Sequence, residues 1–109
     1  MKKIDCVVIS TTVASAPQAR ALAGKLVAAR VAACVQVLPV QSTYRWKGKV
    51  TRAREQLLLI KSRATLARQV VACIRRTHPY ELPEILITPV TGGLPAYLAW
   101  VAQETQAAP

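Results

Sequence analysis

The chain is short of several residue types that carry chemistry. Its 109 residues include one histidine, five acidic residues and no phenylalanine. The three cysteines, Cys6, Cys34 and Cys73, form no Cys-x-x-Cys pair, so neither a structural zinc site nor a disulfide framework is predicted. We expect these thiols to be buried and reduced. No apolar run approaches the ~18–20 residues that span a bilayer, so no membrane span is expected.

The sequence also lacks the usual signatures of catalysis. No serine or cysteine lies beside an obvious base, and no glycine-rich phosphate loop of the Walker type occurs. His78 and Glu81 could form an acid–base pair, with a hydrogen bond from Tyr44 or Tyr80. An acylphosphatase would need an arginine in the loop after its first strand, and residues 10–16 contain none. We therefore expect no enzymatic activity and no obligatory cofactor.

Positive charge and apolar surface are what the chain has in excess. Fifteen Lys and Arg against five Asp and Glu give a formal net charge of +10, which suits nucleic acid, anionic lipid or an acidic small ligand. The basic residues are scattered in loose groups at 47–54 and 75–76, which favours a solvated basic surface. An apolar fraction of 52% and a mean hydropathy of +0.26 are high for a soluble monomer and indicate a subunit interface.

Hydrophobic periodicity predicts a single domain over residues 1–109, with a core at about 4–104. A β-branched run at 4–9 predicts a first strand that the polar residues 10–12 end, and apolar spacing at 19–29 predicts a helix. The later segments complete the order β-α-β-β-α-β, followed by a terminal helix. Right-handed crossovers then give an α+β ferredoxin-like fold, an antiparallel sheet with helices on one face.

The second and third strands are predicted to form a long hairpin around a turn at 47–49. Pro39 should introduce a bulge in the second strand or mark it as an edge strand. Tyr44 and Trp46 should share one face of the hairpin, with Arg45 on the other. The predicted hairpin is long for a small domain, and one sheet face carries no helices. Both would leave apolar surface exposed to solvent unless a neighbouring subunit packs on them. The pattern alone therefore predicts an oligomer.

Residues 78–84, His-Pro-Tyr-Glu-Leu-Pro-Glu, concentrate the polar side chains of the chain. Pro79 and Pro83 stiffen this connector because each fixes its φ at about −65°. The connector can thus present an imidazole, a phenol and the carboxylates of Glu81 and Glu84 in a small volume. The alternative is that Pro79 merely ends a helix and Pro83 begins a strand, with polar residues filling the gap.

Sequence-specific RNA recognition by a sheet of this topology needs aromatic residues on the central strands. The predicted central strands read Ile-Asp-Cys-Val-Val-Ile at 4–9 and Leu-Leu-Leu-Ile at 57–60. The base-stacking platform is therefore absent. Only net charge remains, so we expect non-specific affinity for DNA that is lost as salt rises, and no specific nucleic-acid partner.

Four segments taken together resemble the CutA family of divalent-ion tolerance proteins. They are Ala-Ala-Cys-Val at 32–35, Tyr-Arg-Trp-Lys-Gly-Lys at 44–49, the connector at 78–84, and Tyr-Leu-Ala-Trp at 97–100. The resemblance implies a ferredoxin-like protomer in a homotrimer built like the PII signalling proteins, with the long hairpin packed on a neighbour. It also implies a link to copper and other divalent cations.

Carried over residue by residue, the resemblance places a set of side chains near an inter-subunit cleft. The candidate metal ligands are His78, Glu81 and Cys34, and the other cleft residues are Tyr44, Trp46, Lys61, Tyr80 and Glu84. Copper(II) is the expected ion because it ranks highest among first-row divalent ions for imidazole ligands. Many family members carry a cysteine and acidic residues at the end of the first strand. This chain has Ser-Thr-Thr-Val-Ala at 10–14 there, so weak metal binding is expected.

An alternative function follows from the likeness to PII proteins. A sensor of that kind would bind a small anion in its inter-subunit clefts, through Lys61 and arginines. Fold analogy carries this alternative, because the same fold serves many functions.

The N-terminal segment resembles a targeting signal only in its first residues. Two lysines follow Met1, but Asp5 interrupts the segment and no Ala-x-Ala cleavage site follows an apolar helical stretch. The expectation from these residues is a cytoplasmic protein.

Overall fold

A computed structural model describes residues 4–106, and within them the predicted order of elements is confirmed. The strands are β1 (Cys6–Val13), β2 (Cys34–Trp46), β3 (Lys49–Arg63) and β4 (Ile85–Pro89). The helices are α1 (Ala16–Ala28), α2 (Ala67–Thr77) and α3 (Pro95–Glu104), with a 3-10 turn (Ala64–Leu66) before α2.

The strands form one sheet in the order β2-β3-β1-β4, and every neighbouring pair is antiparallel. Because β1 lies between β3 and β4, the two β-α-β units interleave rather than lie side by side. This is the split arrangement that the sequence predicts, and the α+β ferredoxin-like fold is confirmed.

One face of the sheet packs against α1 and α2 and forms the core. Alternate residues of β1 and β3 point to this face, and the helices meet them with their apolar stripes. The central members are Val7, Ile9, Leu58, Ile60, Leu22, Leu26, Val70 and Ile74. Each such side chain stabilises the fold by about 1.5–3 kcal/mol relative to an exposed position. The register Ile9 to Ile60 aligns the two central strands.

α1 begins and ends with defined caps. Ser15 is its N-cap and accepts a hydrogen bond from the Gln18 N–H at 3.3 Å. At its end the Val31 N–H reaches the Leu26 carbonyl at 3.2 Å across a residue in the left-handed region, Arg30, with φ of 61°. Glycine is the usual residue at such a position, so Arg30 holds a costly conformation there.

Two local predictions are wrong. Residues 10–12 do not end β1, which runs on to Val13 opposite Gln56, because β3 is long enough to supply backbone partners and β-branched threonines suit a strand. Pro39 does not introduce a bulge, since β2 is continuous and pairs Pro39 with Gln56. The edge-strand alternative for Pro39 is confirmed, because β2 lies at the edge of the sheet.

β2 and β3 extend well beyond β1 as a two-stranded arm, residues 40–55. β1 pairs with β3 only from Gln56 onward, so the arm strands have only each other as partners. The described molecule is accordingly elongated, 48 × 26 × 20 Å. Lys47 and Gly48 both have positive φ, 51° and 79°, which is the type I′ turn that matches strand twist. The predicted long hairpin is confirmed.

The sheet face opposite α1 and α2 is only partly covered. Arg63 projects from it to Thr105 at the end of α3, which lies across one end of this face. The expectation of a sheet face without helices is therefore wrong at the end that α3 covers. The remainder, here called the open face, exposes apolar side chains such as Leu38, at 39%, and Leu86, at 59%. Its other members include Ser10, Leu57, Leu59 and Val40, by strand alternation.

Candidate functional site

The imidazole of His78 is fixed by hydrogen bonds on both ring nitrogens. His78 follows the last residue of α2, and Nε2 lies 2.7 Å from the Thr12 carbonyl oxygen. Since a carbonyl only accepts, Nε2 carries the proton and donates. Nδ1 accepts the Tyr80 N–H at 3.2 Å. β4 pairs with β1 only as far as Thr11. At the next residue, Thr12, the His78 side chain replaces a strand as the hydrogen-bond partner of the backbone carbonyl.

This arrangement selects one form of the His78 ring. Only the neutral tautomer with the proton on Nε2 satisfies both the Thr12 carbonyl and the Tyr80 N–H. A metal ion binding at Nδ1 would have to displace the Tyr80 N–H. The ring also packs edge-on to Tyr80, with centroids 4.7 Å apart and planes at 64°.

Tyr80 links the connector to the base of the arm. Its hydroxyl donates to Glu55 Oε2 at 3.1 Å, and Glu55 is only 8% exposed. Burial, the hydrogen bond to Glu55 and the negative charge of Glu55 together raise the pKa of Tyr80 to about 12. The nearby phenol of Tyr44 contributes in the same direction. Tyr80 is therefore a protonated donor that satisfies a buried carboxylate.

The other predicted residues of this region are solvent-exposed. Glu81 and Glu84 lie on the outside of the connector, and Leu82 beside them is 70% exposed. Tyr44 and Trp46 lie on the arm, on the same face as Glu55, and are 42% and 37% exposed. The connector thus directs His78 and Tyr80 inward and its two carboxylates outward.

Cys34 and Lys61 belong to a separate group. They pair across β2 and β3, and the Lys61 ammonium donates to the Gln36 side-chain oxygen. Burial, the proximity of Cys34 and Cys6 and a hydrogen bond with Cys34 raise the pKa of Tyr97 on α3. All three thiols are free, and Cys34 is half-buried rather than buried as expected.

The three candidate metal ligands do not converge in one chain. His78 lies at Thr12, which pairs with Leu57, whereas Cys34 pairs with Lys61. These positions are four residues apart along β3, about 13 Å. Among residues 4–106 no group of three His, Cys, Asp or Glu side chains is placed to hold a metal ion. A closed metal site within a single chain does not fit these residues.

Sequence reasoning missed Glu55 and Thr12 as members of the site. Glu55 is the single acidic residue of the arm and lies between Arg54 and Gln56, just before a run of leucines. A lone carboxylate in such a segment is the sequence feature that could have indicated a functional residue. Its partner Tyr80 is 25 residues away in sequence, so the pairing could not be predicted from local pattern.

A small cleft lies on the helix side of His78. It has a volume of about 170 Å³, and its walls include Leu22, Gln18, Lys25 and His78. Most ligand pockets measure about 300–1,000 Å³, so this cleft is too small for a nucleotide-sized molecule. It offers room only for a small ion or acid beside Lys25. In the part of the chain that the structure covers, no helix combines the length and apolarity needed to cross a membrane.

Residues 7–104 match the family model described as CutA1 divalent ion tolerance protein. The chain is 40% identical over 98 residues to the divalent-cation tolerance protein CutA of Pectobacterium atrosepticum, covering 89% of each chain. It is 35% identical over 106 residues to the chloroplastic protein CutA of Arabidopsis thaliana, covering 96% of this chain and 58% of that protein. The chain thus spans little more than half the length of that plant relative.

Solved structures agree in fold. The crystal structure of CutA from Xylella fastidiosa superposes with a TM-score of 0.90 at 40% identity, covering 94% of this chain and 99% of that one. The structure of the periplasmic divalent cation tolerance protein CutA from Archaeoglobus fulgidus gives a TM-score of 0.90 at 29% identity, covering 93% and 99%.

The prediction of a cytoplasmic location is wrong. One relative, aligned with 96% of this chain, is described as chloroplastic, and one solved structure with the same fold is described as periplasmic. The residues used for the prediction, chiefly Asp5 and the absence of a cleavage site, therefore do not determine the compartment.

Proposed function

This chain belongs to the CutA1 divalent ion tolerance protein family, and we propose that it acts in the response to divalent metal ions as a homotrimer that binds such ions weakly. It acts by binding rather than by catalysis, and it needs no resident cofactor. The observation that supports this best is the linked group of His78, Tyr80 and Glu55 beside the open face. A second copy packed on that face would convert the group into one wall of an inter-subunit cleft.

The open face and the arm support the oligomer. Leu38 and Leu86 are 39% and 59% exposed on a sheet face that α3 covers only at one end, and Tyr44 and Trp46 on the same side of the arm are 42% and 37% exposed. A two-stranded ribbon is marginally stable alone, so the arm gains most from a neighbour. Obligate interfaces of this kind bury about 2,000 Å² or more. The number of copies, three, is what the family resemblance implies.

The placement of donors supports weak rather than tight metal binding. His78 is the single imidazole of the chain, and its Nδ1 already accepts a backbone N–H. A bound copper(II) ion would have to compete with that bond, and it would find only exposed carboxylates such as Glu81 nearby in the same chain. Copper(II) still ranks above the other first-row ions for this ligand.

Two measurements test the proposal. Sedimentation equilibrium over a dilution series should show a trimer that persists at low concentration, and a monomer or dimer would contradict the proposed assembly. Calorimetric titration of copper(II) and zinc should show weak binding that His78→Ala removes and Cys34→Ser leaves nearly unchanged. Loss of binding only in Cys34→Ser would move the metal site to the thiol.

A further inference from the structure

The arm carries a concentration of positive charge that the metal-related role does not use. Between Gln41 and Arg54 there are five basic residues and no acidic one. The basic residues are Arg45, Lys47, Lys49, Arg52 and Arg54, all of them exposed. The arm therefore holds a third of the chain's fifteen basic residues on a ribbon that projects from the body.

Strand alternation places three of these residues, the arginines, on one face of the arm, whereas Lys49 pairs with Trp46 on the other face. The register pairs Arg45 with Val50, Thr43 with Arg52 and Gln41 with Arg54. Directly paired residues point to the same side, so the three arginines share a surface with Thr43 and Gln41. We call this surface the arginine face; it comprises Gln41, Thr43, Arg45, Val50, Arg52 and Arg54.

No carboxylate of the arm neutralises the arginine face. The single acidic residue of the arm, Glu55, projects from the opposite side and accepts the hydroxyl of Tyr80. The opposite side also carries Tyr44 and Trp46 and continues the open face. An oligomer built on the open face therefore leaves the arginine face directed outward.

The spacing of the arginines suits a chain of phosphates. Arg52 and Arg54 are two residues apart on β3, about 7 Å, and Arg45 lies diagonally across from Arg52 at about 7–8 Å. Guanidinium groups bind phosphate oxygens in bidentate fashion, which a lysine cannot do. Gln41 and Thr43 add neutral donors on the same surface.

We propose that the arginine face of the arm binds the phosphate backbone of a nucleic acid, without reading its base sequence. A two-stranded ribbon is narrow enough to enter or follow the major groove of a duplex, about 12 Å wide. Three arginines replace three condensed counterions, so the binding is salt-dependent and has no aromatic platform for base stacking. An anionic lipid surface is the competing occupant, and the experiment separates the two.

The first test compares two triple variants that remove the same charge. One carries Arg45→Gln, Arg52→Gln and Arg54→Gln in the arm. The control carries Arg68→Gln, Arg75→Gln and Arg76→Gln on the exposed side of α2. Binding of a short labelled DNA duplex is measured by fluorescence anisotropy over a salt series of about 50–200 mM, with two unrelated base sequences.

The arm variant should bind the duplex at least tenfold more weakly than the α2 control at low salt. The slope of log affinity against log salt should fall by about 2–3 in the arm variant and by less than 1 in the control. Both base sequences should behave alike. Equal losses in the two variants would mean that net charge alone drives binding, and would overturn the proposal. Failure of the wild-type protein to bind the duplex at low salt would also overturn the proposal.

A second pair of variants does not depend on removing three residues at once. Thr43→Glu places a carboxylate opposite Arg52, whereas Ser42→Glu places the same charge on the other side of the arm. Thr43→Glu should weaken duplex binding at least fivefold more than Ser42→Glu. Equal effects would overturn the assignment to one face. Vesicles of equal parts phosphatidylserine and phosphatidylcholine complete the test: arginine-dependent binding to vesicles but not to the duplex would also overturn it.

Discussion

Removing the hydroxyl of Tyr80 should lower the free energy of unfolding near pH 8. It should also make that free energy fall less steeply as the pH rises above 10. In the folded chain that hydroxyl donates to Glu55 Oε2 at 3.1 Å, and Glu55 is only 8% exposed. Tyr80→Phe leaves this carboxylate without its donor while keeping the ring against His78. A hydrogen bond to a charged group is worth about 1.5–3 kcal/mol, so we expect a loss of about 1–2 kcal/mol in the free energy of unfolding near pH 8.

The pH dependence has a definite sign. Burial, followed by the bond to Glu55 and its charge, raises the pKa of Tyr80 from 10.0 to about 12 in the folded protein. A raised pKa means that the folded state holds the proton more tightly, so this stabilisation is complete below pH 10 and lost as the pH rises to about 12. Two pKa units correspond to about 3 kcal/mol, and solvent screening of a partly exposed phenol reduces this to about 1–2 kcal/mol.

The assay is urea unfolding of the unvaried protein and Tyr80→Phe at one fixed protomer concentration, at pH 8 and at steps between pH 10 and 12. Fixing the concentration matters because an oligomer's stability depends on it. Titration of lysines affects both proteins and cancels in the difference. Glu55→Gln, which keeps an acceptor but removes the charge, should shrink the alkaline effect. A Tyr80→Phe difference below about 0.5 kcal/mol at pH 8, or one that stays constant up to pH 12, would refute the reasoning.

Substitutions at three further positions, with two comparison variants, test other parts of the fold. Arg30→Ala should cost about 1–2 kcal/mol by chemical denaturation, because the guanidinium donates to carbonyls at the end of α3; Arg30→Gly should cost less, since it relieves the positive φ. Lys47→Asn should raise the melting temperature slightly, since asparagine suits the first position of a type I′ turn; a decrease would show that the ammonium over the Trp46 ring matters more. Leu86→Glu should lower the oligomeric state in sedimentation, whereas the similarly exposed Val27→Glu on α1 should not.

The order of elements could be predicted because each helix and strand carries its own period. The ends of β1 could not, since Thr11 and Thr12 read as polar residues after an apolar run. Whether they continue the strand depends on β3, whose length supplies Leu57 and Leu58 as partners. Thr11 is fully buried, and its hydroxyl has no hydrogen-bond partner within residues 4–106, which no local pattern would indicate.

The candidate site was predicted in part for a similar reason. The two prolines and the single histidine of residues 78–84 single out this connector, and its role as a site stays a prediction. An irregular segment has no period, however, so spacing could not say that His78 and Tyr80 face inward while Glu81 and Glu84 face solvent. The resemblance grouped Cys34 with His78, but within one chain they lie four residues apart along β3. Only a neighbouring copy could bring such residues together.

The register of β3 decides which side chains each face of the arm presents, because neighbouring residues point to opposite faces. Glu55 follows Arg54 directly, so alternation places the carboxylate on the open-face side and the guanidinium on the other. Had Glu55 pointed to the arginine side, it would have neutralised Arg54 and lost the Tyr80 hydroxyl. Because the side-chain period is 2, a slip of one residue in β3 would reverse both faces at once. The buried core residues Leu58 and Ile60 set this register, and the Tyr80–Glu55 hydrogen bond forms only in it. The site at the connector and the charge on the arm therefore depend on the same strand alternation.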